Sequence, residues 1–347
     1  MIPHSRPVFD AAFAEALQRP LARGHVTAGE EARALEREAA KALGRGTGVA
    51  VDSGTSALML ALLALLARGG DPGARRVGIP AYACRALWHA TRAAGCEPVC
   101  MDCGPDLRLD ADKARALASS LDAVIVAHPF GMLEPLAAER WPCPVIEDAA
   151  QSAGGRLDGR PVGSFGDVAV VSFYATKPWG GAYGGLVAGE EDEPGGSWLE
   201  AIRQMRCADT ADAALPHAGN HQLSDVHAAL ARARLARAGR ERAARADLAR
   251  RYDEWIEETR AEPVPREAEA AHFRYIVRAP DAGEAIRALR DRGVDARRPV
   301  ETPLSRFSGV DCPGAEDAWR HCVSLPLLAD MSEEECERMR EAMQACL

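Results

Sequence analysis

Residues 163–177 read GSFGDVAVVSFYATK, and the fold turns on this stretch. Within it, residues 168–172 (VAVVS) are a short, valine-rich run with no polar alternation. Such a run predicts a strand buried on both faces, as in a parallel sheet. The chain leaves this strand through Phe173, Tyr174, Ala175 and Thr176 and arrives at Lys177. Pro178 and the glycines at 180, 181, 184 and 185 follow, so the lysine sits in a tight, specialised loop. A lysine just beyond a buried strand can lose its proton and form a Schiff base. On position alone, a solvated loop lysine is the more common outcome.

Upstream, residues 145–151 read VIEDAAQ. A strand over 145–147 carries Asp148 out at its end, where open α/β sheets bind ligands. A carboxylate there can hold a protonated heterocycle nitrogen; it can equally cap a helix. Further upstream, a strand at 49–51 is broken by Ser53-Gly54-Thr55-Ser56 before the apolar run 57–67. Strand, small-residue turn and buried helix follow in that order. The start of such a helix presents free N–H groups and positive dipole charge to a phosphate, with Thr55 and Ser56 adding hydroxyls. Alone it is also an ordinary N-cap. Downstream, residues 219–225 (GNHQLSD) feed a long helix, with Ser224 placed to cap it. A phosphate cradle, a pyridine-nitrogen partner and a Schiff-base lysine are the parts of a pyridoxal phosphate (PLP) site.

The rest of the chain fits this frame. Strand-like segments at 77–79, 97–101 and 124–127 alternate with helix-like segments at 84–94 and 110–120, and an amphipathic helix spans 29–43. The pattern predicts a mostly parallel α/β sheet covered on both faces. Residues 224–258 read as one long, Arg-laden helix whose weak point is Gly239. After Pro263 and Pro265 comes a smaller unit: strand 273–278, helix 281–292, strand 294–298 and a last helix at 332–345. Two units are expected, 1–235 and 236–347, the second beginning within the long helix.

Composition narrows the function. The 347 residues carry 42 basic and 51 acidic side chains, a net −9, which disfavours nucleic-acid binding. The longest apolar run, 57–67, is too short to span a bilayer. The opening MIPHSRPVFD does not read as a signal peptide, and the ten cysteines suit reduced thiols. A cytoplasmic protein is expected, with no membrane partner.

Three motifs are set aside. Cys96, Cys100 and Cys103 have a spacing used for iron–sulfur clusters, but they lie in an apolar, strand-like setting that suits core thiols. Gly44, Gly46 and Gly48 follow a helix and open a strand, the reverse of a dinucleotide loop, and read as a helix stop. His217, His221 and His227 have no acidic or Cys partner at a metal-binding spacing. No metal site is expected.

The sequence resembles the DegT/DnrJ/EryC1/StrS family of PLP-dependent sugar and cyclitol aminotransferases. The resemblance runs nearly end to end, through IPAY at 79–82, VIEDAAQSAGG at 145–155, GSFGDVAVVSFYATK at 163–177, SDVHAALARARL at 224–235 and VSLPLLADMSEEE at 323–335. It implies the fold-type-I architecture: a large α/β domain built on a seven-stranded, mostly parallel sheet, and a small α+β C-terminal domain. It also implies a homodimer with shared active sites. By position, Lys177 would hold the cofactor, Asp148 would pair with its ring nitrogen, and Gln151 would lie beside the ring. Thr55, Ser56 and Ser172 would bind the phosphate, and Asn220 would reach the phosphate of the partner subunit. L-glutamate or L-glutamine would be the donor, and a ketone on a nucleotide sugar or cyclitol the acceptor. A lysine-retaining dehydratase or aromatase and a non-catalytic, PLP-binding regulator are the alternatives.

The chain departs from the family pattern at three places. Cys84 stands where an aromatic residue usually stacks on the cofactor, a role Tyr82 or Trp88 could assume. Tyr183 precedes Gly184-Gly185 in place of an acid, and Gln222 replaces an Arg. The loops near 178–183, 205–222 and 300–312 are expected to choose the acceptor, with Arg203, Arg206 and Arg306 as candidates to meet its phosphate or carboxylate.

Overall fold

In the computed structural model, residues 1–66, 75–190, 198–209 and 217–347 are described. The strands begin with β1 (Thr47–Val51), β2 (Arg76–Pro80), β3 (Glu97–Met101), β4 (Ala123–Ala127) and β5 (Val145–Asp148). A small hairpin follows, β6 (Arg156–Leu157) with β7 (Arg160–Pro161), and then β8 (Val168–Ser172) and β9 (Gly185–Gly189). Seven of these form one sheet in the order β1-β9-β8-β5-β4-β2-β3. The pairs from β8 to β3 are parallel, and β9 alone runs against its neighbours β1 and β8. This is the mostly parallel sheet expected from the sequence.

Every residue of β8 is buried, because both faces of the sheet are covered. Val168 and Val170 face one layer, built largely from α3 (Gly54–Leu66), α4 (Arg85–Ala93) and α6 (Trp198–Met205). Ala169 and Val171 face the opposite layer, with α2 (Glu30–Ala42) and α7 (Asp225–Leu235). Successive strand side chains point to opposite faces, so one apolar run supplies two cores. The helix α3 is apolar all round from Ala57 onward, as its largely covered position requires. Its expected last residue, Ala67, lies outside the described residues. The glycines 44–48 do separate helix α2 from strand β1. Cys96, Cys100 and Cys103 are buried thiols in the main core.

The long helix expected over 224–258 is two helices, α7 and α8 (Ala238–Ile256). The break falls at Ala236 and Arg237, not at Gly239. Its cause is tertiary. Ala228 and Ala231 of α7 pack under the large sheet, whereas Leu248, Ala249, Tyr252 and Ile256 of α8 belong to a separate core. That second core is made with a three-stranded sheet: β10 (Glu262–Pro263), β11 (Tyr275–Arg278) and β12 (Cys322–Leu325). Residues 294–298 are not a strand. Val294 and Arg297 make only isolated bridges, to Ile2 and Ser324. Ile2 is buried in this second core, so the N-terminus packs on the C-terminal unit. Among the described residues, no helix is long and apolar enough to cross a membrane.

Candidate active site

The parallel strands β4, β5 and β8 end side by side and deliver His128, Asp148 and Ser172 to one edge of the sheet. Beyond that edge lies a cavity of about 600 Å³, lined among others by Thr55, Cys84, Asp148, Gln151, Ser172 and Lys177. The lysine is presented by a tightly wound loop. Lys177 N–H donates to the Tyr174 carbonyl at 2.8 Å, and Gly180 N–H donates to the Lys177 carbonyl at 2.8 Å. A Cβ at Gly180 would lie 2.3 Å from the Tyr174 oxygen, so only glycine permits the turn. Tyr183 packs edge-on against Tyr174 at 5.6 Å and against His227 at 6.1 Å, filling the position where an acid was expected.

Two neighbouring carboxylates on β5 have opposite environments. Burial alone would raise Glu147, but His128 and the backbone N–H groups of Gly163 and Phe165 hold it below the usual carboxylate range. The Glu147 oxygens accept from His128 Nε2 at 2.9 Å and from the amides of Gly163, Phe165 and Gly166 at 2.6, 2.8 and 3.1 Å. His128 Nδ1 accepts from the Glu134 N–H at 2.9 Å, which fixes Nε2 as the protonated nitrogen. Asp148 has far less support. Burial raises it above the usual range, opposed by the Ala150 N–H, which donates to Oδ1 at 2.9 Å, and by the fields of Lys177 and His128. Its Oδ2 has no hydrogen-bond partner among the described residues. Burial also pulls Lys177 below the ordinary lysine value; Cys84 and Asp148 oppose this and Arg274 adds to it. The cavity thus holds a carboxylate in want of a cationic donor and an amine inclined to be neutral.

Sequence reasoning missed a second layer of residues. Gln151 Oε1 accepts from the Phe130 N–H at 2.8 Å. Phe130 and Gly131 are both left-handed, with φ of 55° and 94°. Their carbonyls accept from the N–H groups of Arg274 and Ala271 at 3.0 and 2.8 Å, which pins the start of β11 to the cavity. A Cβ at Gly131 would lie 2.3 Å from the Phe273 nitrogen. The result places the Phe273 ring 5.3 Å from Lys177 Nζ and the Arg274 guanidinium 4.0 Å from that ring. No local motif announces these residues, because they come from a different unit of the chain.

The remaining expected residues divide. Thr55, at the exposed start of α3, lines the cavity with Ser172, and Gly54 approaches Ser172 closely. Ser56 turns to Ser53 instead, with the two hydroxyls 2.9 Å apart, and does not line the cavity. Cys84 is exposed at the N-cap of α4 and faces the cavity. Trp88 packs against Phe307 and Tyr82 against Phe130, and neither lines the cavity, whereas Phe130 does, with Tyr174, Tyr183 and Phe273. Asn220 is exposed, bridged to Cys207 and outside the lining of its own chain's cavity. Arg206 is engaged by Glu36, Arg203 lies near Thr47 and Glu200, and Arg306 pairs with Glu316. None of the three lines this cavity. Of the expected specificity loops, Tyr183 and residues 300–302 do, while 210–216 lie outside the described residues.

These groups fit pyridoxal phosphate. The start of α3 offers anion donors, Asp148 offers an open carboxylate oxygen, and Lys177 offers a depressed amine. The architecture is that of fold-type-I, PLP-dependent aminotransferases. A family model described as the DegT/DnrJ/EryC1/StrS aminotransferase family matches residues 7–344, and the chain belongs to that family. Among solved structures, the chain is similar to the aminotransferase TlmJ from Streptoalloteichus hindustanus, with 28% identity and a TM-score of 0.88 over 99% of this chain and 98% of that one. It is also similar to DesV of S. venezuelae, at 27% identity and a TM-score of 0.86 over 96% and 94% of the two chains. The fold is shared with the PLP form of Spr1654 from Streptococcus pneumoniae, at 22% identity and a TM-score of 0.88 over 99% and 98%.

Proposed function

We propose that this aminotransferase uses pyridoxal phosphate to move an amino group from L-glutamate or L-glutamine to a keto group of a nucleotide sugar, cyclitol or related biosynthetic intermediate. The observation that carries this reading is the convergence of Lys177, Asp148 and the start of α3 on one cavity. Thr55 and Ser172 would hold the cofactor phosphate, with Ser56 supporting the turn through Ser53. Asp148 would hold the ring-nitrogen proton at its free oxygen, and Gln151 and Phe130 would border the ring. The bound cofactor supplies an electron-accepting ring that stabilises a carbanion at the amino-bearing carbon. Lys177 Nζ, held toward its neutral form, takes the proton from that carbon. Asn220, exposed and outside its own cavity, would serve the site of a second copy in a homodimer. We place the junction between the two units, 1–235 and 236–347, at the break after Leu235.

Product analysis with ¹⁵N-labelled donor tests this function. Labelled amine in the product, with no release of water, is the expected result. Release of water without consumption of donor would replace transfer with dehydration.

A further inference from the structure

A second cavity, of about 380 Å³, lies beside the first. Thr176, Lys177, Phe273 and Arg274 line both and form the shared wall. The other walls come from residues 5–8, the α7–α8 junction and residues 327–330. Charge there does not balance. Arg6 is satisfied by Asp330 and Glu335 at 3.1 and 2.8 Å. Glu241, however, is divided among Arg234 at 2.6 Å, Arg237 at 2.8 Å and Arg245 at 3.9 Å. Arg237 also has Asp10 at 2.6 Å. Arg245 is left with one long contact, and its buried Nε has no hydrogen-bond partner among the described residues. Arg274 donates only to neutral acceptors, the His4 carbonyl at 3.2 Å and Ser5 Oγ at 2.8 Å, and forms no ion pair with a described residue. Burial, with Arg245 and Arg297 adding to it, pulls Arg274 down to about 9, and burial pulls Arg245 down to about 10. Guanidinium groups stay charged at neutral pH, so the cavity contains, besides the exposed Arg240, two largely buried cations without adequate counter-charge. Buried charges are ordinarily paired.

We propose that Arg274 and Arg245 form an oxyanion receptor, and that the acceptor ketone carries a phosphate or carboxylate group that reaches past Lys177 into this second cavity. This rests on the aminotransferase reading. Arg274 makes the contact at the shared wall, and Arg245 receives the group deeper in. The planar guanidinium fork suits either anion.

Equilibrium dialysis of the full, cofactor-loaded protein against inorganic phosphate, and separately against acetate, tests the receptor. Saturable binding of one ion per chain, beyond the cofactor's own phosphate, is expected in the wild type. Arg245→Gln should weaken it by about tenfold or more, the scale of a charge-assisted hydrogen bond, and Arg245→Lys should restore part of it. Saturation by phosphate alone supports a phosphate group on the acceptor, and saturation by acetate as well supports a carboxylate. Bleaching of the cofactor by L-glutamate is read on the wild-type protein in parallel. That readout tests the aminotransferase reading independently: failure of bleaching in the wild type would sink that reading, whatever the anions do. No saturable anion binding by the wild type, or unchanged binding in Arg245→Gln, would overturn the receptor.

Discussion

Glu147 and Asp148 are adjacent on one strand, and their carboxylates are driven in opposite directions by what surrounds them. Glu147 is surrounded by donors and stays charged. Asp148 has one donor and is raised by burial. A carboxyl raised in the folded state binds protons more readily there than in the unfolded chain. Its contribution to stability is therefore fully present below the unfolded pKa and is lost as pH rises through the higher folded value. Asp148→Asn removes this loss, and the amide oxygen still accepts from Ala150. Cofactor-free Asp148→Asn should melt at or above the wild-type temperature at neutral pH, with turnover reduced by about 10²–10³-fold, the range for losing one preorganised electrostatic contact. Calorimetry and a rate assay on the same preparation check both halves. A variant that unfolds earlier, or turns over normally, would contradict the assignment. The placement of Asp148 at a strand end and of Lys177 in the loop after another strand was legible in the sequence, because an apolar strand leads to each. Phe273 and Arg274 were not, because their place beside Lys177 is set by packing between distant segments.

At the level of elements, Glu147 ties β5 to the turn before β8 and, through His128, to the loop after β4. Glu147→Ala would strand these donors and should cost roughly 3 kcal/mol or more, because each buried donor left without a partner costs about 1–3 kcal/mol. Glu147→Gln, which keeps an acceptor oxygen, should cost less. Denaturant midpoints measured with a constant slope read this directly; a loss below about 1 kcal/mol for the alanine variant would mean the donors find other partners. The strands themselves were readable from valine-rich runs such as 168–172. The break at Ala236 and Arg237 was not. No proline or glycine marks it, and the chain bends there because α7 and α8 serve different cores. Residues 294–298 look like a strand locally, but only two of their residues find bridging partners.

Across the whole molecule, Asn220 is exposed and does not line the cavity of its own chain. If the functional protein is a homodimer with shared sites, Lys177→Ala and Asn220→Ala chains should complement each other. Random mixing yields mixed dimers with one intact site each, so about a quarter of wild-type activity should return from two nearly inactive preparations. No recovery after verified subunit exchange would mean Asn220 acts in its own chain or not at all.

The Lys177 cavity is proposed to carry out the first half of a transamination. The visible absorption spectrum of the purified protein, before and after L-glutamate and L-glutamine and with Lys177→Ala alongside, reads this step. A yellow band that bleaches with one of these donors in the wild type, and does not respond in Lys177→Ala, is the expected result. A protein that stays colourless with added cofactor, or a yellow band that neither donor bleaches, would contradict the claim.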